Sequence, residues 1–136
     1  LDDLTRELNR WMATPFDWTE MNCCFVVADW INAVRGIDPA EGDRWMFDDM
    51  GSCQRATGYF SDPVGVFGAR MEAVGIKRGN ELKRGDVGVL KLSDQRHPIP
   101  GVFTGKSWAF KGPDGTTSRH PRTVEVLAFW SLGYED

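Results

Sequence analysis

With 136 residues, 41% of them hydrophobic and 26% charged, the chain is sized for one domain and holds enough apolar material for a core, which excludes general disorder. Sixteen basic against twenty acidic residues give a net charge of −4 with no long block of either sign, so a nonspecific electrostatic grip on nucleic acid is not expected. No run approaches the roughly 20 apolar residues that span a bilayer, and the acidic, helix-patterned start differs from a signal peptide, so a soluble product is the expectation.

Leu4, Leu8, Trp11 and Met12 recur at helical spacing, with Asp2, Asp3 and Glu7 towards the start and Arg6 and Arg10 further along, the charge order that suits a helix dipole. This predicts an amphipathic first helix, ended or redirected by Pro15. From Asn22 to about Arg35, an apolar stripe of Cys23, Val27, Trp30, Ile31 and Val34 opposes polar Asp29, Asn32 and Arg35. It is the strongest helical signal in the chain, with Asn22 suited to cap its start and Gly36 to follow its end. GIDPAEGDRW reads as a loop, and residues 47–71 as short helical pieces. One of these starts at Ser61-Asp62-Pro63 and buries Val64, Phe67 and Met71.

Beyond the turn-rich KRGNELKRGD, the segments VGVLKL, GVFTG, KSWAFKG and TVEVLAFWSLG read as strands separated by Gly and Pro turns. Helices precede strands, which favours an α+β domain with N-terminal helices packed on a mainly antiparallel sheet over an alternating βα architecture. There is no internal repeat or linker, so residues 1–136 read as a single domain.

The chemistry centres on Cys23. A cysteine in the first turn of a helix meets uncommitted backbone N–H groups and a favourable dipole, both of which favour the thiolate. The alternative is that Cys23 and its neighbour Cys24 are small apolar core residues beside Phe25, Val26 and Val27. Three cysteines, with Cys53 the third, lack paired CxxC spacing for zinc, while a bridge from Cys23 or Cys24 to Cys53 and iron–sulfur ligation stay open as alternatives. Of the two histidines, His97, just before PIPGVFTG, is the better candidate base, and His120 lies in an SRHPR turn. Asp17, Asp29 and Asp86 are candidates to orient a histidine, each with a structural alternative in a turn or on a solvated helix face. No phosphate-binding loop, HExxH or EF-hand pattern occurs, and the simplest reading needs no cofactor or metal.

FDWTEMNCCFVVADWINAVRGIDP, ELKRGDVGVLKL, PIPGVFTG and the terminal VLAFW together resemble the NlpC/P60 superfamily of cysteine peptidases, and more closely its DUF6950 branch from bacterial and phage genomes. The resemblance implies a papain-like domain in which an acid–cysteine pair opens a helix and the cysteine attacks an amide of a cell-wall peptide. Here that pair is Asn22-Cys23, and the GD that begins a central strand is Gly85-Asp86. The strand that the family opens with histidine reads IPGVFTG, which puts Ile99 at the histidine position, with Gly101, Val102 and Gly105 keeping the pattern. The polar residue that orients the histidine has no clear replacement near Lys111. Catalysis would then fall to Cys23 with His97 in compensation.

The resemblance therefore implies a phage tail-tip or baseplate component on a catalytically degenerate scaffold, with an active cysteine amidase or peptidase as the alternative and a small-molecule or protein-binding module as a third. Expected partners are other tail-tip or baseplate proteins, or a cell-wall peptide, and the expected location is the virion tail or the host cytoplasm during assembly, with periplasmic or cell-wall contact during infection. Trp11, Trp18, Trp45, Trp108 and Trp130 are the candidate aromatic contacts, each with core packing as its alternative.

Overall fold

The computed structural model describes residues 1–135. Four α-helices come first: α1 (Asp3–Ala13), α2 (Cys23–Arg35), α3 (Met50–Thr57) and α4 (Pro63–Ala73), with a 3-10 turn at Glu41–Asp43 between α2 and α3. Five strands follow: β1 (Val87–Leu92), β2 (Ile99–Phe103), β3 (Trp108–Gly112), β4 (Gly115–Arg119) and β5 (Val124–Trp130). They form one antiparallel sheet in the order β4-β3-β2-β1-β5, so the domain is α+β.

The helix starts follow from short polar side chains that accept orphan N–H groups. Asp2 accepts from Thr5 N at 2.8 Å, Asn22 from Cys24 N and Phe25 N at 3.0 and 2.8 Å, Asp49 from Ser52 N at 2.7 Å and Asp62 from Gly65 N at 3.1 Å. Pro63 then opens α4, where its missing N–H costs nothing.

The register assigns each strand residue to a face. Val87, Val89, Pro100, Val102, Ala109 and Lys111 lie on the face covered by α2, and Gly88, Leu90, Ile99, Gly101, Trp108 and Phe110 on the other. The main core forms on the first face, where Val26, Val27, Trp30 and Ile31 of α2 pack with Val87, Val89, Val102, Ala128 and Trp130. Leu4 and Trp11 of α1 and Phe67 and Met71 of α4 close it from the sides. Each fully buried aliphatic chain here contributes about 1.5–3 kcal/mol relative to exposure. On the second face Leu90, Leu92, Trp108 and Phe110 form a smaller cluster, with Ile99 and Phe103 packed against it.

The Gly85-Asp86 turn locks α2 to the sheet. Trp30 Nε1 donates to Gly85 O at 2.8 Å, and Phe103 N donates to Asp86 O at 2.8 Å. Gly85 has φ +94, and a Cβ there would come within 2.6 Å of the Tyr134 ring, so glycine is required twice over. The Asp86 side chain, expected as a simple turn residue, is 2% exposed and accepts from Lys83 N and Leu132 N at 2.9 and 3.2 Å.

One strand was not read from the sequence, and the candidate tryptophans divide between core and surface. Strand β4 falls in the segment GTTSR, which has no apolar alternation. It pairs with β3 from Trp108↔Arg119 to Gly112↔Gly115 as the second arm of a hairpin turned by Pro113 and Asp114. Among the candidate contact tryptophans, Trp11, Trp108 and Trp130 are buried, so their burial assigns them to the core, while Trp45 is 73% exposed. Among the described residues no helix is long and apolar enough to cross a membrane.

Candidate functional site

Asn22 sets the geometry of the site. Its Oδ1 caps α2, and its Nδ2 donates to Trp18 O at 2.8 Å, so one side chain closes both the approach segment and the helix start. The second bond needs an N–H donor, which the amide of Asn22 supplies. An ionised carboxylate would cap α2 equally well but has no hydrogen to give Trp18 O.

Cys23 and Cys24 occupy the first turn of α2, both half-buried, with their sulfurs 3.9 Å apart. The Cys23 thiol is held below the usual thiol range, chiefly by the hydrogen bond from Cys24, against the opposing effect of burial, with the backbone N–H groups of Cys24 and Cys23 adding to the stabilisation. Cys24 is pushed well up, first by its hydrogen bond with Cys23 and then by burial. Cys53 on α3 is buried, which lifts its thiol to about 11. All three cysteines are free thiols, which removes the Cys53 bridge considered from sequence. Among the described residues no group of three or more His, Cys, Asp or Glu side chains is placed to hold a metal ion.

Beneath Cys24 lies an apolar cavity of about 50 Å³ between α2, α3 and α4, lined in part by Ala28, Phe47, Cys53, Tyr59 and Phe67. Cys23 is not among its lining residues, so the two adjacent thiols face different surroundings.

Among the described residues neither histidine hydrogen-bonds to a thiol. His97 is half-buried, and its ring packs on Phe60 with centroids 4.9 Å apart. Among the described residues it makes no hydrogen bond to Cys23. Tyr59 Oη donates to Pro98 O at 2.8 Å, which fixes the chain next to His97, and Phe60 continues into an aromatic row through Trp18 to Phe16. His120 is exposed and serves locally, its Nδ1 accepting from Arg122 N at 3.1 Å.

Ile99 opens β2, and its side chain packs with the cluster on the face turned away from α2. On the α2 face, β2 offers Pro100 and Val102, neither of which can move a proton. Lys111 of β3 also lies on that face and is 1% exposed. Its Nζ donates to Trp11 O and to Thr14 O, the latter at 2.6 Å, so it is spent on the carbonyl end of α1. The candidate orienting aspartates are committed elsewhere: Asp17 to Thr19 N, Asp29 to Arg10 and Arg44, and Asp86 to the turn described above.

A family model described as a domain of unknown function, DUF6950, matches residues 2–132. The chain belongs to the DUF6950 family. No curated protein and no solved structure matches it. This DUF6950 chain thus gathers a helix-start dithiol, a capping amide and an aromatic row at one end of α2. Sequence reasoning singled out Cys23 and His97 but missed Cys24 as a partner to Cys23, Tyr59 as the anchor of the His97 loop, and Lys111 as the cap of α1. The CC doublet was the one visible signal among these.

Proposed function

We propose that this DUF6950 chain is an assembly component of a phage tail tip or baseplate, built on a papain-like NlpC/P60-type domain that serves as a scaffold and not as a hydrolase. The observation that carries the reading is that, among the described residues, no imidazole or carboxylate hydrogen-bonds to Cys23: β2 presents Pro100 to α2, Ile99 points to the other face, His97 packs on Phe60, and Lys111 caps α1. Amide hydrolysis needs a base for the nucleophile and an acid for the leaving amine. A surface for assembly is supported by Trp45, which holds a positive φ of 67 and presents its indole beside exposed Met46. Such a backbone conformation costs of order 1–3 kcal/mol in a residue other than glycine, and exposed aromatic and Met side chains are enriched at protein interfaces.

The tail-tip assignment rests on the resemblance of FDWTEMNCCFVVADW and ELKRGDVGVL to a phage-associated branch. Mass spectrometry of purified particles from a phage encoding the chain tests it: recovery at a fixed copy number per particle is the expected result, and absence from intact particles would overturn it. A second reading, an active cysteine amidase acting on cell-wall peptides, is favoured by the stabilised Cys23 thiolate alone and requires a partner to supply the base.

A further inference from the structure

The adjacent thiols have unequal surroundings, and the inequality points to chemistry. Side chains of successive helical residues diverge by about 100°, so Cys24 faces the apolar cavity while Cys23 stands outside its lining. Within reach of the Cys24 sulfur, among the described residues, the hydrogen-bond partner is the Cys23 sulfur at 3.9 Å. A charge on Cys24 would sit against apolar walls, whereas a charge on Cys23 sits at the N-terminus of α2 with an S–H beside it. The 3.9 Å contact admits either sulfur as donor, and these surroundings favour Cys24.

We propose that Cys23 and Cys24 form one reactive unit, in which Cys24 donates its S–H to the Cys23 sulfur and so makes Cys23 a nucleophile towards soft electrophiles without any histidine. Cys24 is a positioning residue in this unit, and Cys23 is the group that reacts. The substrates are electrophiles whose leaving group departs without a proton, such as disulfides and alkyl halides. Amides fall outside the class, because the Cys24 S–H, pushed well above the ordinary thiol range, is a poor acid for a departing amine. With iodoacetamide, Cys23 first loses its proton to solvent. The thiolate then forms an S–C bond as the C–I bond breaks and iodide leaves, and Cys24 keeps its proton throughout.

The charged and titratable groups that reach the pair from the packed elements are Asp43, Cys53 of α3, Tyr59 and Arg70 of α4. Asp43 and Arg70 bind each other in a two-pronged ion pair at 2.7 and 2.8 Å, so their charges largely cancel. Tyr59 is driven far above its ordinary range by burial, and Cys53 is lifted by burial also, so both stay neutral across the range of the test.

The test is the pH profile of iodoacetamide alkylation, with each thiol resolved by peptide mass spectrometry, for the folded protein, its urea-unfolded form, Cys24→Ala, Cys24→Ser and Cys53→Ala. Cys23 of the folded protein is expected to react first, with an inflection below that of the unfolded chain. Cys24→Ala should move the inflection up and slow Cys23 at neutral pH by roughly tenfold for each unit of the move. Cys24→Ser retains a donor and should recover most of the rate, and Cys53→Ala should leave it unchanged. The proposal is overturned if Cys24→Ala leaves the profile where it was, or if folding fails to lower the inflection of Cys23, a comparison that needs no variant. Alkylation reads the sulfur alone, so this outcome is separate from whether the chain assembles into a tail.

Discussion

Replacing Lys111 by methionine keeps the aliphatic stem and removes only the ammonium, so Lys111→Met isolates what that group does at the end of α1. Two acceptors lose their donor: Trp11 O, on a buried residue, and Thr14 O, on a half-buried one. Stranding a buried carbonyl costs about 1–3 kcal/mol, and a bond that water can replace about 0.5–1.5 kcal/mol. Relief from desolvating the ammonium offsets part of this, which sets the expected loss at about 2 kcal/mol. At about 2.1 cal/mol/K per residue of unfolding entropy, that corresponds to a fall in Tm of roughly 7 °C for a chain of this length. The pH dependence adds a second handle. Burial, and then the charge of Arg10, holds Lys111 below the ordinary lysine value of 10.5, so the unfolded state binds the proton more tightly. Stability then rises with pH in the window below 10.5 for the wild type and not, through this group, for the variant. Urea denaturation of both proteins at pH 7 and pH 10 should show the gap between them widening. A Lys111→Met protein as stable as the wild type, or a gap that narrows as the pH rises, would refute the reasoning.

Asn22→Asp should keep the cap of α2 but set a carboxylate oxygen against Trp18 O, costing about 1–3 kcal/mol at pH 7. The loss should shrink at pH 4, where a protonated carboxyl donates again, and urea denaturation at the two pH values checks both. Gly85→Ala should destabilise by about 2 kcal/mol or more, because φ +94 is strained for alanine and its Cβ would press on the Tyr134 ring. The loosened Trp30–Gly85 bond should be visible as a change in tryptophan fluorescence. Asp2, held at about 2 by hydrogen bonds from Thr5 and then by Arg84, favours the folded state above the ordinary carboxylate range. That contribution is lost as the pH falls towards 2, so Asp2→Ala should be less stable than the wild type at neutral pH and converge with it in acid, as followed by circular dichroism.

The helix at Cys23–Arg35 was legible because its apolar stripe, its Asn22 cap and its Gly36 stop agree with one another. The start at Asp62-Pro63 was legible for the same local reason. Strand β4 was not, since an edge strand of Gly, Thr, Ser and Arg buries too little to leave a period-2 pattern. Gly85 read as a turn, but nothing local shows that its carbonyl receives Trp30 from 55 residues away. Nothing local to Lys111 signals its role, because β3 brings it beneath the end of α1 in a contact across about 100 residues. The face taken by Ile99 depends on strand register, which the sequence around two prolines does not specify. Thus Cys23 was visible as a helix-start thiol, whereas what surrounds it is set by long-range packing.

The central claim, a cysteine scaffold without hydrolysis, is tested most directly by incubating the protein and its Cys23→Ala variant with purified peptidoglycan and measuring released muropeptides by mass spectrometry. The account predicts release at background for both. Release by the wild type that disappears in Cys23→Ala would contradict it.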